Sequence, residues 1–414
     1  MDGLYSFMRN NSLSRDKLNY ENGGTKNIHY GDIHTKFPAL FDITKELVPY
    51  VNSTEEIPDA QSEDYCVEGD LIFADASEDT NDVGKSMEIV RLAGEQLLSG
   101  QHTILARRKD DTLVVGFAGH LFRSGLIRSR IEKEAQGTKV YQISSSRLGG
   151  IDITFPGDKV EQQKITDCLT SLDEVIAAQG QKVDVLKAHK RGLMQQLFPR
   201  EGETRPRLRF PEFRNAPEWE ENTLRSTCAR IMDGTHFSPK SKSGPRPYLT
   251  SKNIRDGRLE LSNLSYVSED EHREIYAKCP VQKFDVLLTK DGANTGNCTI
   301  NTLDYEFSLL SSVAVLRGEP SQITQEFLYQ VLASDRMQRT IINSMSGQAI
   351  TRITLEKLGS YVIPLPSLAE QEKVAVSLSS LDTQIAAESR QLAALKTHKK
   401  GLMQQLFPSL DGAK

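Results

Sequence analysis

The sequence predicts an α+β protein. Two mixed α/β domains are separated by two long helices packed as an antiparallel coiled coil, in a pseudo-twofold tandem repeat. Three observations predict this. A 39-residue segment occurs twice, each copy carries a sustained apolar seam, and each copy follows about 150 residues of short β-type runs broken by turn residues.

The repeat comes first. Residues 161–199 read EQQKITDCLTSLDEVIAAQGQKVDVLKAHKRGLMQQLFP, and residues 370–408 read EQEKVAVSLSSLDTQIAAESRQLAALKTHKKGLMQQLFP. They align without a gap at an offset of 209, with 22 identities in 39 positions, and Gly192–Pro199 matches Gly401–Pro408 throughout. A period this long is itself domain-sized, so the chain is a tandem duplication rather than a solenoid.

The repeated segment is helical by pattern. Ile165, Leu169, Leu172, Ile176, Gln179, Val183, Leu186, Lys190, Leu193 and Leu197 fall at alternating spacings of four and three. The second copy supplies Val374, Leu378, Leu381, Ile385, Glu388, Leu392, Leu395, Lys399, Leu402 and Leu406. Such a seam marks a coiled coil. Each copy breaks it at matched polar places, Gln179 with Glu388 and Lys190 with Lys399, and matched breaks can set register. The two copies are expected to pack on each other as a rod of roughly 55 Å. Pro199 and Pro408 stop the helices, and Gly192 and Gly401 suggest a bend or a close contact.

Between and before the rods lie β-type runs, among them Leu71-Ile72-Phe73, Val286-Leu287-Leu288 and Val313-Ala314-Val315-Leu316, with turns at Asp256-Gly257 and Asp291-Gly292. The expected organisation is a first globular domain over 1–155, a helical spacer over 156–199 and a Pro/Arg-rich linker over 200–212. A second globular domain over 213–363, a second spacer over 364–408 and a tail over 409–414 follow. The globular segments match each other only faintly. Asp70 sits like Asp285, and Gln136-Gly137-Thr138 sits near Ser346-Gly347-Gln348.

Charge is segregated along the chain. The whole carries a formal net charge of −5. Residues 51–100 hold thirteen acids against two bases, whereas 101–147 hold nine bases against four acids and 225–258 hold eight against two. This suits an anionic partner on some faces only. Five scattered cysteines make neither a disulfide framework nor a zinc site. No apolar run approaches the ~20 residues of a membrane helix, and residues 1–30 lack a signal core, so a cytoplasmic protein is expected. No catalytic motif is visible. There is no Pro-Pro pair for an amino-methyltransferase, Asp79 stands where a phosphate loop ending in Gly84-Lys85-Ser86 needs glycine, and no His pair has metal-ligand spacing. Neither a metal nor a catalytic residue is expected.

The duplicated EQ-x-K start (Glu161, Gln162, Lys164; Glu370, Gln371, Lys373) and the HK-[KR]-GLMQQLFP ends resemble the DNA specificity subunit of type I restriction–modification systems. Val362-Ile363-Pro364-Leu365-Pro366, Tyr248–Ile254 and Leu288–Gly292 fit as well, and the resemblance spans nearly the whole chain. It implies that the two globular domains are target recognition domains, each reading one half of a bipartite asymmetric double-stranded DNA site. It also implies that the helices set the spacing and dock two methyltransferase subunits, with restriction subunits joining a larger complex. S-adenosylmethionine and ATP would bind those partners, leaving this chain without a cofactor and non-catalytic. One departure stands out. Pro217-Glu218-Trp219-Glu220 leads into the second domain, but with Ile33 paired to Ile254 its counterpart falls before residue 1.

Candidate DNA contacts follow from residue type, with Lys and Arg for phosphates and guanine, and Asn and Gln for adenine. In the first domain they are Lys26, His29, His34, Lys36, Arg107, Arg108, Arg123, Gln136 and Lys139. In the second they are Thr235, His236, Lys240, Lys242, Arg246, Lys252, Lys290, Asn294 and Gln348. A self-contained enzyme lacks the motifs it needs. The rival that survives, a coiled-coil scaffold for proteins alone, explains the rods but not the basic, divergent domains.

Overall fold

The structure, a computed structural model, describes residues 1–55, 62–241, 243–345 and 352–407. Two compact units form, Met1–Gln179 with Gln391–Lys414, and Gly180–Arg390. Each therefore holds one globular head and half of each rod, cutting across the expected spacer boundaries.

In the first unit, five strands make the central sheet: β1 (Tyr5–Met8), β2 (Leu40–Asp42), β3 (Leu71–Ala74), β4 (Ser86–Arg91) and β5 (Thr103–Arg108), in the order β1-β5-β3-β4-β2. Only the β2–β4 pair is parallel, with Leu40 opposite Glu88. Alternation along β3 explains its apolar run. Leu71 and Phe73 enter one core while Ile72 and Ala74 enter another, so both faces of the sheet are covered. Two helices of 39 residues carry the repeat, α1 (Lys159–Leu197) and α2 (Leu368–Leu406). Ile165 and Leu169 from the start of α1 join the first head's core, as does Phe407 just past the end of α2.

The second unit uses β6 (Glu220–Thr223), β7 (Cys228–Asp233), β8 (Val286–Thr289), β9 (Cys298–Ile300), β10 (Val313–Gly318) and β11 (Val362–Leu365). Its main sheet runs β7-β10-β8-β9, the same order as β1-β5-β3-β4. Val286 and Leu288 face one core and Leu287 the other. Within this unit, Lys182 pairs with Glu388 at 2.6 Å and Lys190 with Asp382 at 2.6 Å. Partner numbers rise on one helix as they fall on the other, so the helices are antiparallel. The seam residues Leu169, Leu172, Ile176, Val183, Leu186, Leu193, Leu378, Leu381, Ile385, Leu392, Leu395 and Leu402 are all buried or half-buried.

The repeated Gln explains part of the duplication. Gln162 accepts from the Val114 amide and donates to the Thr112 and Pro156 carbonyls. Gln371 accepts from Thr324 and donates to Gln322 and Pro366. Each clamp fixes a helix start to its head at full burial. The faint Asp70–Asp285 match is also a joint. Asp70 is held by Arg107 at 2.8 Å, and Asp285 by Arg317 at 2.7 Å.

One expectation fails in part. A Cβ at Gly192 or Gly401 would meet nothing within 4 Å, and both helices run on past them, so no close approach explains these glycines. The opening strand of the first head is formed, since β1 pairs with β5 from Tyr5–Arg108 to Met8–Leu105. What changes is the neighbouring edge. β6 pairs with β11 in the second unit, whereas residues 151–155 form no strand, and the Met1 amine donates to the Gly149 and Ile151 carbonyls.

Candidate nucleic-acid interface

In the second unit, strand ends bring a polar surface together. The chain leaves β7 through Thr235, His236 and Phe237. The Thr235 amide donates to the Leu309 carbonyl, and the Ser311 amide donates back to Thr235. Ser312 receives two bonds, one from the Ser251 amide to its hydroxyl and one from the Lys290 amide to its carbonyl. Arg352 forms a backbone bridge to Asp291, and its guanidinium lies 3.0 Å from His236 Nδ1 and 3.6 Å from the Asp291 carboxylate. Phe237 stands 81 % exposed beside them. Guanidinium donors, imidazole, hydroxyls and a bare aromatic ring make a surface able to bond phosphates and base edges and to pack on a sugar or base.

The matched strand ends of the first head carry different chemistry. Ile28 and Leu249 occupy corresponding ends, each accepting one amide bond, from Gly100 and Leu310. After Ile28, His29 accepts from the Gly31 amide and caps the short helix Tyr30–Thr35. The Tyr30 ring sits 4.6 Å from His29, 5.8 Å from His34 and 5.3 Å from His102, centroid to centroid. His102 Nδ1 is 3.3 Å from the Asp75 carboxylate. Burial, then the Arg15 guanidinium, holds the His29 imidazole below its usual pKa. Lys36 is exposed and contacts Asp32 and the Tyr20 hydroxyl. Among the described residues no group of three or more His, Cys, Asp or Glu is placed to hold a metal.

Residues 218–397 match the family described as type I restriction modification DNA specificity domain. The MjaVIII specificity subunit of Methanocaldococcus jannaschii is 24% identical over 289 residues, 68% of this chain and 67% of the relative. The putative MjaX specificity subunit of the same organism is 24% identical over 388 residues, 91% and 85% of the two chains. The crystal structure of a type I S subunit from M. genitalium shares the fold, with a TM-score of 0.58 at 18% identity over 99% of this chain and 95% of that one. Residues 218–397 therefore carry the type I restriction–modification DNA specificity domain, and the chain as a whole is similar to type I specificity subunits. The role this supports is DNA sequence specificity.

Within the subunit, the nominated residues scatter. Gln136, Lys139, His236, Lys240 and Lys252 are exposed, and Thr235, His29, His34 and Asn294 are half-buried near the strand ends or the loop after β8. Lys242 and Gln348 lie outside the described residues. Several basic residues turn out to be internal joints. Lys290 is 1 % exposed and neutralises Asp233 at 3.2 Å and Asp291 at 3.5 Å, so it presents no charge to a phosphate. Arg107 is spent on Asp70 and on the Glu63 and Tyr65 carbonyls. Arg246 grips Glu269, Lys26 lies 3.5 Å from Glu95, and Arg123 donates to the carbonyls of Ser86, Phe37 and Pro38. Arg108 is half-buried, its side chain lying where a Cβ on Gly69 would fall. Sequence reasoning missed Tyr30, His102, Phe237 and Arg352. The only signal was their nearness in sequence to nominated residues, such as Gln348 for Arg352.

Proposed function

We propose that each head reads one half of a bipartite, asymmetric double-stranded DNA site, that the helix pair sets the distance between the halves, and that its outer faces dock two methyltransferase subunits, with restriction subunits completing the complex in the cytoplasm. One observation carries this reading. Two heads with the same sheet order present unlike side chains at the same strand ends: His29 and Tyr30 after Ile28, with His102 nearby, in one, and Thr250 and Ser251 after Leu249, with Ser312 nearby, in the other. Scaffolds with a shared strand order and different readout surfaces are what two different half-sites require. Arg352 would donate to guanine or phosphate, and His236 and the serine hydroxyls to base edges. The chain itself supplies no reacting group. S-adenosylmethionine and ATP belong to the partners.

Deleting one heptad from both helices is expected to shorten the spacer between half-sites and leave both half-sequences unchanged, as read by methylation mapping of a host carrying the variant. Altered base preferences at constant spacing would refute the ruler. The purified chain with S-adenosylmethionine and duplex DNA should transfer no methyl group. Retention on DNA should fall steeply as salt rises, because phosphate contacts release counterions; salt-independent retention would favour the protein scaffold instead.

A further inference from the structure

The duplicated helices line two matched clefts, one in each unit, and the heads give these clefts opposite electrostatics. In the second unit the cleft of about 380 Å³ is lined by Lys187, Lys190 and Arg191 from α1, together with Asp256, Asp335 and Asp382. Three cations meet three carboxylates, and Lys190 is already paired to Asp382. In the first unit the corresponding helix residues are Lys396, Lys399 and Lys400, with Asp173 in the place of Asp382. Here the cleft is larger, about 550 Å³. The head adds Arg123 where the second unit has Ala333, and Gly125 where it has Asp335.

The first cleft is therefore left with four cations and one carboxylate. Lys399 takes the carboxylate of Asp173. Among the described residues Lys396, Lys400 and Arg123 have no carboxylate partner, and Arg123 donates only to backbone carbonyls. A half-buried guanidinium without a counter-ion is costly to hold in low dielectric, and an anion in the cleft relieves that cost. The floor is apolar, built from Ala39, Ile176 and Met403, with Pro38 at its side. The volume falls in the range of small-molecule sites, about 300–1,000 Å³. Three unpaired cations suit a doubly charged phosphoryl group better than a single carboxylate, and the apolar floor suits a flat ring system.

We infer that the cleft between the first head and the end of α2 binds a nucleoside phosphate, whereas its counterpart in the second unit does not. The ligand is either a free nucleotide or a nucleotide within a nucleic acid strand. The inference goes beyond reading of DNA by the heads, and its free-nucleotide arm can succeed or fail independently of it.

The test is calorimetric titration of the full chain with AMP, with inorganic phosphate and with a short 5′-phosphorylated duplex. The variants are Lys396→Glu/Lys400→Glu and, as the matched control, Lys187→Glu/Arg191→Glu. All four side chains are exposed, so both variants should fold, which circular dichroism checks. AMP binding weakened at least about tenfold by the first pair and barely by the second is the expected result, since reversing two charges at one site is felt there and not at its twin. Duplex binding without AMP binding, with the same dependence on Lys396 and Lys400, also supports the site and assigns the nucleotide to a strand. Absence of binding in both arms overturns it. So does equal loss in the two variant pairs, or inorganic phosphate binding as tightly as AMP.

Discussion

The two helix starts carry the same Glu-Gln pair and use it differently. Gln162 and Gln371 make the same three bonds. Their neighbours part ways. Glu370 is 1 % exposed, accepts two bonds from Arg209 at 2.7 Å each and one from the Trp219 indole at 3.1 Å. Glu161 is exposed to solvent. The difference traces to the lead-in. Arg209 and Trp219 belong to the segment that leads into the second head, and among the described residues no such pair meets Glu161. Matched sequence therefore implies matched structure only where the surroundings were duplicated too.

The sharpest way to break this comparison is charge removal at the two glutamates. Glu370→Gln leaves the Arg209 guanidinium buried without its counter-ion and should destabilise the second unit by about 3–5 kcal/mol. Glu161→Gln, on the surface, should stay within about 0.5 kcal/mol. Urea unfolding of the two variants reads the contrast, and equal effects would erase it. The glutamines should behave as a pair. Gln162→Ala and Gln371→Ala each strand one buried amide and two carbonyls, so losses of about 2–3 kcal/mol in both units are expected; a large loss in only one would show that the clamps are not equivalent.

A smaller effect separates the units by pH. His120 and Gln330 occupy matched places, reaching Thr170 and Ser379 respectively. Burial pushes the His120 imidazole down to about 4. A folded-state value below the ordinary 6.5 means the unfolded chain binds the proton more readily. The stability this neutral His contributes is complete above about 6.5 and is lost as pH falls towards 4, amounting to about 2 kcal/mol lost at pH 5. His120→Gln should abolish this acid sensitivity. Glu88 works in the opposite sense. Burial raises its carboxyl to about 7, so its contribution is present below about 4.5 and fades as pH rises through 7. The comparison must therefore be between wild type and variant at each pH, where Glu88 cancels. An unchanged pH profile in His120→Gln would refute the assignment.

The repeat, the antiparallel helices and the β-runs were legible because their signals are local. A 4–3 spacing and an apolar run of strand length can be read within a few residues. The fate of the basic residues could not be read that way. Lys290 looks like a phosphate contact until Asp233, 57 positions earlier, folds against it, and Arg107 until Asp70 does. Arg352 and Tyr30 became candidates only when strand ends distant in sequence met. Gly192 and Gly401 mislead differently, since a glycine need not mark a close contact, and a Cβ at either would meet nothing within 4 Å.

The way the chain is divided has a consequence for biosynthesis. The second unit is a single uninterrupted stretch, Gly180–Arg390, whereas the first needs the end of α2 and Phe407, which packs on Phe117. As the polypeptide leaves the ribosome, the second head can mature first, while the one synthesised earlier waits for the last helix to close its core.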